Sequence, residues 1–179
     1  MEELNDLIKN CILNDRLSQE KLYRRFYPSM FCLCKKFFKD DHAALEAVND
    51  GMMKVFRNLV NYKTGQGEFF NWVYTIVRNT ALDKLKVSVQ YKFATHQIED
   101  YEITDAGKSV IEQLEWKDIY RYLDHLPPAT RPVFSLFYLE HYTVAAIAEW
   151  LLITEGTVKW HLSESRRIMQ PVLKKHFLI

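Results

Sequence analysis

The residues with the clearest chemical potential lie in residues 143–167, where basic, aromatic and hydroxyl side chains recur beside an apolar pattern. Arg and Lys side chains bind phosphates or guanine edges, and Ser and Glu side chains also contact bases. Helical spacing places several of them on the outward side of one predicted helix: Glu155, Lys159, Trp160, Ser163, Glu164, Arg166 and Arg167. The pattern predicts a surface for DNA, and its alternative is a solvated charged face.

Two short helices joined by a tight turn are predicted to position this surface. Apolar residues at helical spacing mark one side of each helix: Val144, Ile147, Ala148 and Leu151 in the first, and Val158, Leu162 and Met169 in the second. Thr143 and Thr154 precede the two patterns, where a hydroxyl accepts a hydrogen bond from a first-turn N–H. The stretch is therefore typical of a helix-turn-helix, whose second helix enters a major groove.

A second candidate surface surrounds the loop at 60–68, where Gly and polar turn residues concentrate. A predicted helix resumes at 69 and continues to 86, and its apolar residues are assigned to a core. Polar and aromatic residues flank the loop and follow the helix: Tyr62, Asn71, Arg78 and Asn79. Such side chains can stack on and hold single-stranded bases, although packing within the protein is an equally open interpretation.

The third candidate is the predicted helix at 43–59. Its apolar side chains recur on one face, whereas Met53 falls on the other face among polar and acidic residues. An exposed apolar side chain in an acidic setting is compatible with protein docking, but single exposed apolar residues are also ordinary. The pattern alone does not decide between the two.

Composition and charge restrict the fold class. The chain has 179 residues, of which 48% are hydrophobic and 26% charged, with 5 Gly and 5 Pro, and its amphipathic patterns are helical throughout. We therefore predict an all-α protein of two small helical domains. Residues 1–88 carry 14 Lys or Arg against 11 Asp or Glu, residues 89–113 carry 2 against 5, and residues 114–179 carry 8 against 7. The acidic, aperiodic stretch 89–113 is predicted to link the domains 1–88 and 114–179.

Other function classes find little support in the residues. Cys11, Cys32 and Cys34 are too few for a disulfide framework and are predicted to be buried thiols. We expect neither a leader segment nor membrane insertion, and therefore a cytoplasmic protein. The His and carboxylate residues show no metal-ligand or nucleophile spacing, so no enzyme, no metal and no cofactor are predicted.

Taken in chain order, these segments resemble the extracytoplasmic-function (ECF) group of bacterial RNA polymerase sigma factors. EAVNDGMMKVFRNL at 46–59 is similar to the family's polymerase-docking segment. FFNWVYTIVRNTALDKLK at 69–86 resembles a family signature, which is met by Phe69, Trp72, Val73, Ile76, Asn79 and Asp83. LPPATRPVFSLFYLEHYTVAAIAEWLLITEGTVKWHL at 126–162 resembles the motifs of the second domain. The resemblance implies a sigma region 2-like bundle followed by a sigma region 4-like helix-turn-helix.

The resemblance also implies partners and site residues. Core RNA polymerase would bind Glu46, Asn49, Asp50, Met53, Lys54 and Arg57. The proximal promoter element would contact Tyr62, Lys63, Asn71, Arg78, Asn79 and Lys84. The distal promoter element would contact Arg131, Thr143, Thr157, Lys159, Trp160, Ser163, Glu164, Arg166 and Arg167. An anti-sigma factor holds many relatives inactive, and whether one binds this chain stays open.

Two departures from the family pattern bear on this interpretation. His141 stands where the family usually has Gly, and Glu164 occupies a position that is usually basic. An acid on the second helix repels phosphate but can accept a hydrogen bond from cytosine. Two alternatives therefore stay open: an ordinary helix-turn-helix regulator, and a sigma-like protein that binds polymerase without starting transcription.

Overall fold

The computed structural model describes residues 4–63, 67–93 and 121–177, and every regular element in those ranges is helical. The chain divides into two compact units, Met1–Lys35 with Asp40–Asp83 and Lys36–Lys39 with Lys84–Ile179. The all-α fold class is thereby confirmed. Most of the predicted linker, at 94–113, and the start of the second predicted domain, at 114–120, lie outside the described residues, so the domain boundaries stay a prediction.

The first unit is built from α1 (Leu4–Ile12), α2 (Arg16–Lys35), α3 (Asp41–Asn58), a 3-10 turn (Leu59–Asn61) and the first part of α4 (Phe69–Phe93). Its core consists of fully buried apolar side chains, among them Leu22, Met30, Val48, Val55 and Val73. Asp40 fixes the start of α3, because its carboxylate accepts a hydrogen bond from the Ala43 N–H at 2.8 Å. The helices predicted at 43–59 and from residue 69 are therefore present as α3 and α4.

α3 and α4 approach each other unusually closely at Gly51. A Cβ atom at this position would lie 2.9 Å from the Cα of Val77, closer than two such carbons can pack. The side chain of Val77 is fully buried at this contact. Further along the pair, Lys54 Nζ lies 3.8 Å from Asp83 Oδ2 at the surface. Gly51 is therefore required by the spacing of the two helices and not by its backbone angles.

The second unit contains α5 (Thr130–Phe134), a π-helical turn (Ser135–Leu139), α6 (Val144–Leu151) and α7 (Glu155–Phe177). Thr143 Oγ1 accepts from the Ala146 N–H at 3.2 Å, and Thr154 Oγ1 accepts from the Thr157 N–H at 3.1 Å. Both predicted caps are present, so α6 and α7 form the predicted helix-turn-helix. Its core is closed by buried Ile147, Leu151, Val158, Leu162 and Met169.

Three predictions about the elements need correction. α4 continues to Phe93, so 89–93 are helical and do not belong to an irregular linker. α7 is longer than the short helix expected, and before the helix-turn-helix the backbone changes from α-helical to π-helical geometry at Ser135. Cys11 and Cys34 are buried as predicted, whereas Cys32 is exposed on the outward side of α2. Helical backbone hydrogen bonding thus continues in α4 and α7 past the last residues that an apolar pattern marks.

Position 141, where the family usually has glycine, has a left-handed backbone in this chain: the φ angle of His141 is 58°. A left-handed backbone costs a non-glycine residue about 1–2 kcal/mol, and glycine adopts it freely. We expect His141→Gly to raise the free energy of unfolding by about 0.5–1 kcal/mol, since the greater freedom of unfolded glycine offsets part of the gain. Thermal unfolding followed by circular dichroism should show a midpoint about 1–4 °C higher.

His141→Ala serves as the matched control for this prediction. Alanine removes the imidazole but keeps the backbone cost, so its midpoint should not rise. A lower midpoint for His141→Gly would show that the imidazole contributes more stability than the backbone angle removes.

Candidate nucleic-acid interface

The outward side of α7 carries the side chains predicted to contact DNA. Arg167 is exposed, and Lys159, Trp160, Ser163 and Arg166 are partly exposed. The opposite side of the same helix packs into the second unit through Val158, Leu162, Ser165 and Met169, which are all buried. One side of α7 therefore supports the fold and the other side is available to a ligand.

Glu164 and Arg167 form a two-point ion pair on this outward side. The Arg167 Nε donates to Glu164 Oε2 at 2.8 Å, and Nη2 donates to Oε1 at 2.7 Å. The pKa of the Glu164 carboxyl lies below its ordinary value because Arg167 donates hydrogen bonds to it, and the same pairing raises the pKa of Arg167. The acid that departs from the family pattern is thus ionised and neutralised by a cation on its own helix.

Neighbouring residues anchor α7 to the rest of the second unit. The buried His161 Nδ1 lies 2.9 Å from Thr130 Oγ1, and the His161 ring meets the Trp160 ring edge-on with centroids 4.6 Å apart. The Arg166 Nε donates to the Leu162 carbonyl at 3.4 Å. The contact with Thr130 joins α7 to α5 and so restricts the rotation of α7 about its axis, whereas the other two contacts lie within α7.

Two residues predicted to contact the distal element are not accessible. Arg131 is fully buried, and its Nη1 donates to Asp124 Oδ1 at 2.8 Å. The buried Thr157 hydroxyl lies 2.9 Å from the Thr154 hydroxyl and belongs to the cap of α7. Neither side chain can reach a phosphate from these positions. Thr143 is exposed, although its hydroxyl already caps α6.

Tyr62 lies in an aromatic cluster at the start of α4. Its ring centroid is 4.9 Å from that of Phe69 and 5.4 Å from that of Trp72, and its hydroxyl donates to the Gly67 carbonyl at 3.1 Å. Phe69 is buried, whereas Tyr62 and Trp72 remain partly exposed. The cluster therefore holds one edge of the 60–68 loop and still offers aromatic surface.

A half-open cavity of about 390 Å³ lies beside this cluster in the first unit. Tyr62 and Phe70 supply aromatic walls, and Arg25, Ser29 and Glu68 supply polar edges. Its volume falls in the range of small-molecule sites, about 300–1,000 Å³. The cavity joins aromatic surface to hydrogen-bonding groups, which is the combination that a single unstacked base requires.

The structure brings together most of the other residues predicted for the proximal element. Asn71 and Lys63 are exposed, and Arg78 and Asn79 are partly exposed along α4. The Arg78 guanidinium lies 6.0 Å from the centroid of the Tyr74 ring, and its Nη2 is 3.5 Å from Asn79 Oδ1. Lys84 is partly exposed and follows Asp83, the residue at which the first unit ends.

All six residues predicted to bind polymerase are exposed on α3: Glu46, Asn49, Asp50, Met53, Lys54 and Arg57. The side chain of Met53 is 51% exposed, and Leu45 on the same side of the helix is 37% exposed. Apolar surface within a polar rim is typical of a protein interface. The structure thus gathers the predicted set into one surface.

Sequence reasoning missed Tyr23 at the edge of this surface. The Tyr23 hydroxyl donates to Asn49 Oδ1 at 2.7 Å. Its ring stacks on Tyr27, which stacks on Phe31, with centroid separations of 5.5 and 5.6 Å. Aromatic residues at four-residue intervals along α2 were the available signal, but their link to Asn49 depends on the packing of α2 against α3.

Further observations concern the described part of the chain as a whole. None of the helices in those ranges is both long and apolar enough to cross a membrane. In the same ranges, no cluster of three or more His, Cys, Asp or Glu is arranged to hold a metal ion.

Comparison with known proteins gives two family matches in chain order. The sigma-70 region 2 family matches residues 22–88, and the sigma-70 region 4 family matches residues 116–169. ECF RNA polymerase sigma factor SigM of Mycobacterium tuberculosis is 25% identical over 162 residues, which cover 90% of this chain and 80% of that protein. ECF RNA polymerase sigma factor SigE of Mycolicibacterium smegmatis is 26% identical over 164 residues, which cover 89% and 63%.

Among solved structures, a similar one is the sigma factor RpoE of Bartonella quintana in complex with the anti-sigma factor NepR. It is 22% identical, has a TM-score of 0.45, and the match covers 87% of this chain and 96% of that chain.

A helical bundle followed by a helix-turn-helix, matched in that order by the sigma-70 region 2 and region 4 families, defines a promoter-specificity protein. The chain belongs to the sigma-70 family, as an ECF-type RNA polymerase sigma factor. It binds core RNA polymerase and directs it to promoter DNA, and it is not an enzyme.

Proposed function

We propose that this chain divides promoter recognition among three surfaces. The exposed side of α3 binds core polymerase, the Tyr62 cluster with its cavity captures one unstacked base of the proximal element, and the outward side of α7 reads the distal element. The observation that carries the proposal is the two-sidedness of α7, which buries Val158 and Leu162 and presents Lys159 and Arg167. Because the two DNA contacts are tethered on one chain, binding at one raises the effective concentration, and so the affinity, at the other.

Support for the polymerase surface comes from its exposure and composition. Met53 offers half of its side chain to a partner at the centre of a polar set. An apolar anchor surrounded by polar groups is the usual arrangement of a binding hot spot, since the rim excludes water from the centre. Glu46 and Asp50 on one part of the surface and Arg57 on another favour a partner surface with both signs of charge.

Support for base capture comes from the Tyr62 cluster. Extruding a base costs a few kcal/mol, and stacking on an aromatic ring returns about 1–3 kcal/mol. The partly exposed rings of Tyr62 and Phe70 border a cavity whose polar edges can bind the base by hydrogen bonds. Lys63, Asn71, Arg78 and Asn79 would hold the backbone and neighbouring bases of the opened strand, and Lys84 would contact phosphate further along α4.

Support for distal recognition comes from the outward side of α7. Lys159 and Arg166 would hold phosphates, and Trp160, Ser163 and the Glu164–Arg167 pair would face base edges. Thr143 and the first-turn N–H groups of α6 would contact a phosphate from across the groove. Arg131 and Thr157 are no longer included, because both side chains are buried.

The test is transcription with purified core polymerase over a library of random promoter sequences. We expect the chain to bind core polymerase and to enrich one class of promoters that core polymerase alone does not use. Binding of free duplex DNA without any effect of polymerase would favour the helix-turn-helix regulator. Binding of core polymerase without initiation would favour the non-initiating protein, whose main support, the acidic Glu164, is weakened by its pairing with Arg167.

The proposal also covers the location of the protein, the joining segment and one further partner. The protein acts in the cytoplasm beside the polymerase, and the stretch at 89–113, of which 89–93 continue α4, joins the domains 1–88 and 114–179. An anti-sigma factor is a further expected partner, to be sought by isolating the tagged full-length chain from its own cells.

A further inference from the structure

The arginine Arg167 on α7 has an orientation that is set by the protein itself, before any DNA binds. The Arg167 guanidinium is held at two points, with Nε bound to Glu164 Oε2 and Nη2 bound to Oε1. Two hydrogen bonds between planar groups fix both the direction and the plane of the guanidinium. A single flexible contact would leave it free to rotate.

The contact with Glu164 uses only one edge of the guanidinium. Arg has five N–H donors, and this carboxylate engages one on Nε and one on Nη2. Three donors remain, and one of the two on Nη1 forms an end-on pair with the second donor on Nη2. The side chain of Arg167 is 72% exposed, so this end-on pair is accessible.

Arg167 also lies at the centre of the side of α7 that faces away from the core. Gly156, Trp160, Ser163 and Arg167 follow one another at intervals of one helical turn. The buried Val158, Leu162, Ser165 and Met169 occupy the opposite side. A groove that receives the outward side of α7 would therefore meet the end-on donors of Arg167.

We propose that Arg167 reads a guanine in the distal promoter element and that Glu164 is the positioning residue that orients it. Guanine presents O6 and N7 as neighbouring acceptors in the major groove, which match two parallel donors of arginine. The inference rests on the proposed distal recognition and replaces a general role in DNA contact with a specific one.

A phosphate is the less suitable ligand for this pair. The ionised Glu164 lies directly beside the guanidinium and repels a phosphate, while a neutral base edge carries no such charge. Phosphate binding also does not require a fixed plane, whereas reading O6 and N7 does. The ion pair lowers the net charge at Arg167 and fixes the plane of its guanidinium. Both effects favour a base edge over a DNA phosphate as the ligand.

The experiment selects distal elements from a randomised library with the holoenzyme, made from core polymerase and the full chain. The variants are Arg167→Lys, Glu164→Ala and, as a matched control, Lys159→Ala. We expect Arg167→Lys to lose about tenfold of the guanine preference at one position, because lysine lacks the rigid planar pair of donors that Glu164 orients, and we expect the further variant Arg167→Ala to lose the preference altogether. Glu164→Ala should reduce the same preference severalfold, and Lys159→Ala should weaken all sequences alike.

A second measurement tests for direct contact. Replacing the selected guanine by 7-deazaguanine removes the N7 acceptor, and it should weaken DNA binding by the wild-type holoenzyme but leave binding by the Arg167→Ala holoenzyme unchanged. Thermal midpoints of the variants verify that the exposed substitutions leave the fold intact.

Two results would overturn the inference while leaving the proposed function in place. One is a uniform loss across all sequences for Arg167→Ala, with the salt dependence reduced by about one contact and the affinity largely kept by Arg167→Lys, since this identifies a phosphate ligand. The other is a guanine preference that stays unchanged in both the Arg167→Lys and the Arg167→Ala holoenzymes. If Lys159→Ala also leaves the selection and the affinity unaltered, the proposed role of α7 itself is wrong.

Discussion

Replacing Met53 by Asp is expected to lower the affinity of this chain for core RNA polymerase by at least about tenfold. The side chain is 51% exposed at the centre of the α3 surface, so the substitution removes an apolar contact and places a charge where docking would exclude water. The fold should not change, because the outer half of this side chain packs against nothing in the unit. Equilibrium binding of labelled protein to core polymerase measures the change.

Leu13→Asp is the matched control for Met53→Asp. Leu13 is 78% exposed and directly follows α1, so it belongs to a different element from the α3 surface. It therefore tests whether any new acid on exposed apolar surface weakens binding. Equal losses for both variants, or no loss for Met53→Asp, would remove α3 from the polymerase interface.

Gly51→Ala is expected to destabilise the first unit by about 1–3 kcal/mol. An alanine in a helix interior is normally more stable than glycine by about 1 kcal/mol, so the expected sign is the reverse of the ordinary one. The reason is the 2.9 Å approach of the new Cβ to the Cα of Val77, a main-chain atom that cannot turn aside. Thermal unfolding should show a midpoint lower by roughly 4–10 °C.

The double variant Gly51→Ala with Val77→Ala separates a main-chain contact from a side-chain contact. The Val77 Cγ2 lies 3.0 Å from the new Cβ, so relief by Val77→Ala would assign the effect to the side chain. We expect no such relief, because the Cα remains in place. A midpoint for Gly51→Ala above that of the wild type would mean that α3 and α4 separate at little cost.

The sequence predicted best what depends on local signals. Thr143 and Thr154 identified the starts of α6 and α7, because the cap hydroxyl and the apolar pattern lie within one turn of each other. The exposed side of α3 was also predictable, since helical periodicity assigns each residue to a side once the buried residues are known. The end of α4 was not, because a helix that loses its amphipathic pattern can still continue its backbone hydrogen bonds to Phe93.

What the sequence could not provide were side-chain partners. Arg131 was predicted to contact phosphate, and in the structure Asp124 accepts its hydrogen bond while the side chain is fully buried. An arginine in a family motif carries no sign of whether it points inward or outward. The contact between Tyr23 and Asn49 joins residues on different helices and follows only from packing. The pairing of Glu164 with Arg167 depends on rotamers that spacing permits but does not impose.

The tight contact at Gly51 has a mechanical consequence. Because the α3 backbone at Gly51 lies directly against the Cα and the side chain of Val77, we expect α3 and the neighbouring part of α4 to move together as one rigid body. A polymerase that grips the outer side of α3 would thereby set the distance and angle at which Asn71 and Asn79 are offered to the opened strand. The close helix contact at Gly51 would then set the spacing between the polymerase and the melted promoter.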